Sequence, residues 1–135
     1  MRANPSVATQ VGNPYLGDYQ ASTIGTAPSS SCLNAGQVCN GDKEEIARAQ
    51  MMEWLARVNA KLPEMRVRVC MDIKPYDDEG LPQWDCEVPT TAAEQSISFI
   101  KLAWTREDTN REIERATDDG TRPYIILPVT PGGQL

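Results

Sequence analysis

The four cysteines, Cys32, Cys39, Cys70 and Cys86, are the residues whose type most directly suggests chemistry. Structural zinc sites usually present cysteine pairs of the form Cys-x2-4-Cys. Here six residues separate Cys32 from Cys39 and fifteen separate Cys70 from Cys86, so the spacing does not match that pattern. We therefore favour two disulfides, Cys32–Cys39 and Cys70–Cys86, because Cys70 and Cys86 lie on segments predicted to pair as strands; the alternatives are a four-thiolate zinc site and free or differently paired thiols.

Catalytic groups are scarce in this chain. It contains no histidine, which removes the commonest general base, the usual activator of a serine or cysteine nucleophile and a frequent metal ligand. The acidic run Asp77-Asp78-Glu79 offers carboxylates for a divalent cation, but its spacing differs from that of an EF-hand and favours a solvated turn. We therefore expect a protein that is not an enzyme, with no catalytic residues, no metal and no cofactor.

The charges are distributed unevenly along the chain. Residues 1–41 carry only Arg2 and Asp18, so the net charge of −6 belongs to residues 42–135. Direct nucleic-acid binding requires a basic patch, and an acidic body argues against it. Apolar runs such as residues 125–127 are far shorter than the roughly 20 residues that cross a bilayer, so we expect a soluble protein without a membrane partner.

The first residues, Met1 to Pro5, lack the apolar stretch of a secretory signal, which predicts synthesis in the cytoplasm. Disulfides are uncommon in that compartment because cytosolic thiols stay reduced. A particle that assembles inside a cell and is later released, such as a virion, would reconcile the two expectations.

Residues 1–41 are rich in Gly, Pro, Ser, Thr and Asn and show neither a helical nor a strand period. The pattern is typical of a disordered tail or of an extended arm that lies along a partner. Widely spaced apolar side chains favour the arm, and the candidate partner-binding residues are Val7, Val11, Tyr15, Leu16, Tyr19 and Ile24.

A helix is predicted over residues 44–62. Asp42 provides an N-cap, and Pro63 blocks continuation of the helix. Within it, apolar side chains recur at steps of four, three and four residues: Met51, Leu55, Val58 and Leu62. The helix should bury this stripe against a sheet.

Two strand-like segments follow. Residues 65–73 alternate arginine and valine, and residues 83–88 form a shorter run after a turn-rich stretch, which together predict a hairpin with a long loop. Residues 91–104 fit both periods, and a capping-box pattern favours a second helix over a strand. Residues 105–119 predict a solvated helix end or an exposed hairpin, and residues 123–129 predict a proline-bounded edge strand.

These elements predict a small single α+β domain, with one or two amphipathic helices on a short, mostly antiparallel sheet, preceded by a long extended N-terminal arm. The predicted boundaries are 1–41 for the arm, 42–130 for the body and 131–135 for a flexible tail. We expect a structural or connector subunit of a large symmetric assembly, with a virus or phage particle as the leading example and other protein subunits, in many copies, as partners. The alternatives are an accessory subunit of a cytosolic enzyme complex and a small cysteine-based redox or metal module.

Overall fold

A computed structural model describes residues 4–10, 12–24, 42–91 and 97–130. It shows an α+β domain, as the sequence predicts, in which a four-stranded antiparallel sheet has the strand order β1-β2-β3-β6 and a two-stranded hairpin joins β4 to β5. In chain order the elements are α1 (Pro5–Ala8), β1 (Gly17–Gln20), α2 (Lys43–Asn59), β2 (Arg66–Met71), β3 (Ser98–Ala103), β4 (Arg106–Glu107), β5 (Ile113–Glu114) and β6 (Ile125–Val129).

Helix α2 confirms the predicted amphipathic helix. The Asp42 carboxylate accepts hydrogen bonds from the backbone N–H groups of Glu44 and Glu45, at 2.9 and 3.4 Å, and so satisfies two donors that the first turn leaves unpaired. Met51 and Leu55 are buried against the sheet. The helix ends at Asn59, before Leu62, because the chain turns there to enter β2.

Strand β2 also forms as the alternating pattern predicts, but its partners differ from the predicted hairpin. It pairs with β1 on one side and with β3 on the other, so both of its edges are occupied. Residues 83–88 form no strand of the sheet. They cross its surface instead, where the Ile73 N–H donates to the Glu87 carbonyl at 3.1 Å.

The second helix favoured for residues 91–104 is wrong. Residues 98–103 form β3, and all six pair with β2. In so short an apolar run the local sequence fits a helical period and a strand period equally well. Pairing with β2 and β6 makes the segment a strand. Residues 92–96 lie outside the described residues.

The last third of the chain follows the prediction more closely. Residues 106–114 form the exposed β4–β5 hairpin, in which the Asp108 side chain accepts from the N–H groups of Asn110 and Glu112, both at 2.8 Å. Strand β6 is an edge strand and contains Pro128, as the bounding prolines predict.

The described part of the N-terminal segment differs from the predicted extended arm. In its described part, Val7, Tyr15 and Ile24 are buried in the chain's own core, and Leu16 and Tyr19 pack against that core half-buried. Helix α1 contacts α2, and β1 completes the sheet. Residues 4–10 and 12–24 are therefore part of the domain, because their apolar side chains find burial within the same chain. Val11, the rest of residues 1–41 and the predicted tail 131–135 lie outside the described residues.

Candidate functional site

The sheet has two faces with different coverage. We call the side that carries α2 the helix face and the opposite side the loop face. The strand register places a continuous set of side chains on the helix face: Val67 and Val69 of β2, Ile100 and Leu102 of β3, and Ile125, Leu127 and Val129 of β6.

Exposure on the helix face is lowest on β2 and highest at two positions of β6, although Ser98 of β3, on the same face, is 1% exposed and Val129 of β6 is half-buried. Val67 and Val69 are 0% and 1% exposed, Ile100 is half-buried, and Ile125 and Leu127 are 36% and 50% exposed. Helix α2 thus covers the β1–β2 side of the face, whereas Ile100 and Leu102 pack only partly against the core and Ile125 and Leu127 are exposed. We call this incompletely covered part, formed by Ile100, Leu102, Ile125, Leu127 and Val129, the open half of the helix face.

A groove of about 330 Å³ lies between α2 and the open half. It is lined by Tyr15, Gln50, Met51, Trp54, Val69, Ile100 and Val129. Its two polar side chains bond to each other, since the Tyr15 hydroxyl donates to the Gln50 side-chain oxygen at 2.7 Å. Burial raises the pKa of the Tyr15 hydroxyl. The groove consequently offers an apolar surface and few free polar groups.

The flank of α2 above this groove has a defined composition. Gln50, Trp54 and Arg57 follow one another at steps of four and three residues, which places them along one side of the helix axis, and Lys61 lies in the turn that follows the C-cap Ala60. Arg57 forms an exposed ion pair with Glu53 at 3.4 Å. The groove therefore has a basic rim at the C-terminal end of α2.

The loop face is covered by residues 72–91, which a disulfide attaches to the sheet. The Cys70–Cys86 bond confirms one of the two predicted pairings. Because these two sulfur atoms are bonded to each other, a four-thiolate zinc site does not describe this structure. Cys32 and Cys39 lie outside the described residues, so their pairing stays a prediction.

A buried ion pair lies beside the disulfide. The Lys101 ammonium is 2.6 Å from one carboxylate oxygen of Asp72, and both side chains are fully buried. The second Asp72 oxygen accepts from the N–H groups of Lys74, at 2.8 Å, and Glu87, at 3.0 Å, while Lys101 also donates to the Asp85 carbonyl. The pair thus ties the covering loop to β3.

This cluster does not suit a metal ion. The sulfur atoms of Cys70 and Cys86 lie close to an Asp72 carboxylate oxygen, all within 4.8 Å of one another. Disulfide sulfurs lack the thiolate charge that binds metals, and the Asp72 oxygens are already engaged. The cluster is a structural clamp on the loop.

The acidic turn at residues 77–79 is also engaged within the chain. Asp77 accepts from the N–H groups of Glu79 and Leu81, at 3.0 and 2.9 Å, and from Arg122 at 2.7 Å. The Leu81 N–H and the Arg122 guanidinium, together with the Glu79 N–H, lower the pKa of the Asp77 carboxyl. Asp78 pairs with Lys74 at 2.6 Å, so these carboxylates serve the turn, as the sequence favours.

Sequence reasoning identified β6 as an edge strand but missed the surface that it forms. Residues 125–129 are apolar at every position, so the sequence shows no alternation that would single out the face of Ile125, Leu127 and Val129. Of the residues predicted to bind a partner, Tyr15 lines the wall of this groove with 2% of its surface exposed.

Within the described residues, no helix has the length and apolar character required to span a membrane. Comparison of the chain with protein-family models, curated proteins and solved structures gave no match.

Proposed function

We propose that this chain is a non-enzymatic structural or connector subunit that binds neighbouring protein subunits of a larger assembly through the open half of the helix face. The observation that carries the proposal is the gradient of exposure from Val69 to Leu127 across one continuous apolar sheet face. A virus or phage particle is the leading example of such an assembly.

The open half has the properties of a protein-binding surface. Side chains on three strand positions of β6 and two of β3 form one contiguous apolar area, and such areas on a protein surface mark interaction sites. Single exposed apolar residues, such as Val88 on the covering loop, are ordinary. Contiguity, and not the exposure of one residue, is what supports binding.

In this proposal the surface that contacts the partner is the sheet and not the N-terminal segment. Val7, Tyr15 and Ile24 stabilise the domain itself, so a partner that bound them would have to unfold part of the core. The open half can bind a partner without any change in the fold.

The test compares two leucines in the native complex of the chain. Leu127 lies in the open half and is 50% exposed, whereas Leu81 lies on the covering loop and is 43% exposed. We expect the wild-type chain and Leu81→Ser to enter a large complex with many equivalent copies, and Leu127→Ser to remain free. The readout is the mass and copy number by native mass spectrometry.

The outcomes separate the proposal from its rival. One or two copies bound to a catalytic chain would instead identify an accessory subunit of an enzyme complex. A wild-type chain that stays monomeric in its native setting, or a Leu127→Ser variant that assembles normally, would overturn the proposal.

A further inference from the structure

We infer that the occupant of the open half is an amphipathic α-helix of a neighbouring subunit, with acidic residues on the flank that meets α2. This inference rests on the proposed function and specifies the partner for that same surface.

The width of the sheet determines how many helices can pack side by side on the helix face. Adjacent strands lie about 4.8 Å apart, so four strands span roughly 14 Å between the outer strand axes. Neighbouring helices pack with their axes about 8 to 10 Å apart. Helix α2 therefore covers β1 and β2, as the exposures show, and leaves room for one further helix over β3 and β6.

A second helix would complete the two-layer arrangement that small α+β domains use. It would lie in the groove, with α2 on one side and the β6 side chains beneath it. Met51 and Trp54 would contact it from α2, and Ile100, Leu127 and Val129 from the sheet.

An added β-strand fits less well. Among the described strands none pairs with the outer edge of β6, but Pro128 has no backbone N–H to offer to a ladder. A strand paired to that edge would also leave the groove beside α2 empty. The apolar groove and the edge proline both favour a helix that packs on the face.

The length of the occupant follows from β6. Its five residues extend about 17 Å at the rise of a strand. A helix rises about 1.5 Å per residue, so about 11 residues, or three turns, cover the open half.

The charge of the rim determines the charge expected on the partner helix. Arg57 lies on the same side of α2 as Gln50 and Trp54, Lys61 lies in the turn just after the helix, and both side chains are exposed. The acidic partner of Arg57 in the described part of the chain is Glu53, at 3.4 Å and on the surface, while the same part shows no ion pair for Lys61. Carboxylates on the incoming helix would pair with both cations, whereas lysines there would repel them.

The test uses the full chain and three synthetic peptides of about 14 residues, built as helices of three to four turns. The first has a leucine stripe and a glutamate flank, the second has the same stripe and a lysine flank, and the third has the composition of the first in scrambled order. Binding is followed by methyl NMR shifts of Ile100, Leu127 and Val129 on titration.

We expect the glutamate-flanked peptide to bind with shifts confined to the open half. The lysine-flanked and scrambled peptides should bind at least about tenfold more weakly, and Leu127→Ser should weaken the first peptide by about tenfold. Leu81→Ser should leave its affinity unchanged, and Arg57→Ser with Lys61→Ser should remove the preference for glutamate over lysine.

Failures of the two proposals are distinguishable. Two results would overturn the helical occupant and leave the docking surface in place. The first is that the shifts at the open half come from self-association of the chain. The second is that a peptide unable to form a helix binds there more tightly than the three peptides named above. Equal binding of the glutamate, lysine and scrambled peptides would also overturn it. If Leu127→Ser instead leaves the native complex intact, the docking surface itself is wrong.

Discussion

The two faces of the sheet differ in how they are covered. On the loop face, residues 72–91 are fastened by the Cys70–Cys86 disulfide and by the buried Asp72–Lys101 pair. On the helix face, α2 packs mainly by apolar contacts, with the Tyr15–Gln50 hydrogen bond beside them, and does not cover Leu127 of β6, which remains half exposed. One side of the molecule is closed by specific bonds, and the other is left open beside an apolar groove.

This difference assigns stability and binding to different surfaces. The loop face contains the groups whose loss should destabilise the chain most, since they are buried and mutually dependent. The open half contains side chains whose substitution should change binding with little effect on the folded chain, because they already contact solvent. The predictions below test that separation, from the largest expected effect to the smallest.

The largest effect is expected from Lys101→Met. This change leaves the Asp72 carboxylate buried without its cation, and breaking a buried ion pair in this way costs about 3 to 5 kcal/mol. The free energy of unfolding in urea measures the loss. Lys74→Met is the matched control, because Lys74 forms an equally short pair with Asp78 on the surface and its loss should matter little. Equal destabilisation by both variants would contradict a special role for the buried pair.

The next effect is expected from removal of the disulfide. A double substitution, Cys70→Ala with Cys86→Ala, frees a loop of sequence separation 16. Closing a loop of that length stabilises a protein by about 3 kcal/mol, so the variant should lose up to that amount in thermal or urea unfolding. Val88→Ala, a change at a nearby exposed residue, is the control and should be neutral. A double variant as stable as the wild type would show that the loop is held by the ion pair alone.

The smallest effect is expected on the helix face, from Tyr15→Phe. This change deletes the hydrogen bond to Gln50 and keeps the aromatic ring, so it should cost about 1 kcal/mol at neutral pH. It also leaves the wall of the groove intact. If Tyr15→Phe lowered the free energy of unfolding as much as Lys101→Met does, the loop face would not contribute more to stability than the helix face.

The same residue predicts a dependence on pH. Burial raises the pKa of the Tyr15 hydroxyl above its unfolded value, so below about pH 10 the group is neutral in both states and costs nothing. As the pH rises through that value, the unfolded chain ionises first, and the free energy of unfolding falls until the raised folded pKa is passed. Tyr15→Phe should therefore flatten the fall in stability that begins at about pH 10. Burial also raises the pKa values of Tyr19 and Tyr124, so these two hydroxyls contribute to the fall in the same direction.

The sequence predicted those parts of the fold in which local pattern and tertiary packing agree. The Asp42 cap and the apolar stripe of α2 act within one helix, and the Arg-Val alternation of β2 acts within one strand. The Cys70–Cys86 pair was predicted from a hairpin of residues 65–73 and 83–88, and the bond forms although residues 83–88 are not a strand of the sheet. These features depend on near neighbours in the chain.

The errors arose where distant segments decide the structure. Residues 98–103 became a strand because β2 and β6 flank them, and residues 83–88 left the sheet because β1 and β3 occupy both edges of β2. Tyr15, expected to bind a partner, is buried because α2 passes over it. The open half is a product of the strand order, which no local pattern shows.

The central claim is that the β3–β6 side of the helix face binds a neighbouring subunit. Hydroxyl-radical footprinting of the native complex and of the free chain tests it directly, by comparing the oxidation rate of Leu127 with that of Leu81. The account predicts that assembly lowers the rate at Leu127 several-fold and leaves Leu81 unchanged. Equal rates at Leu127 in the free and assembled chain would contradict it.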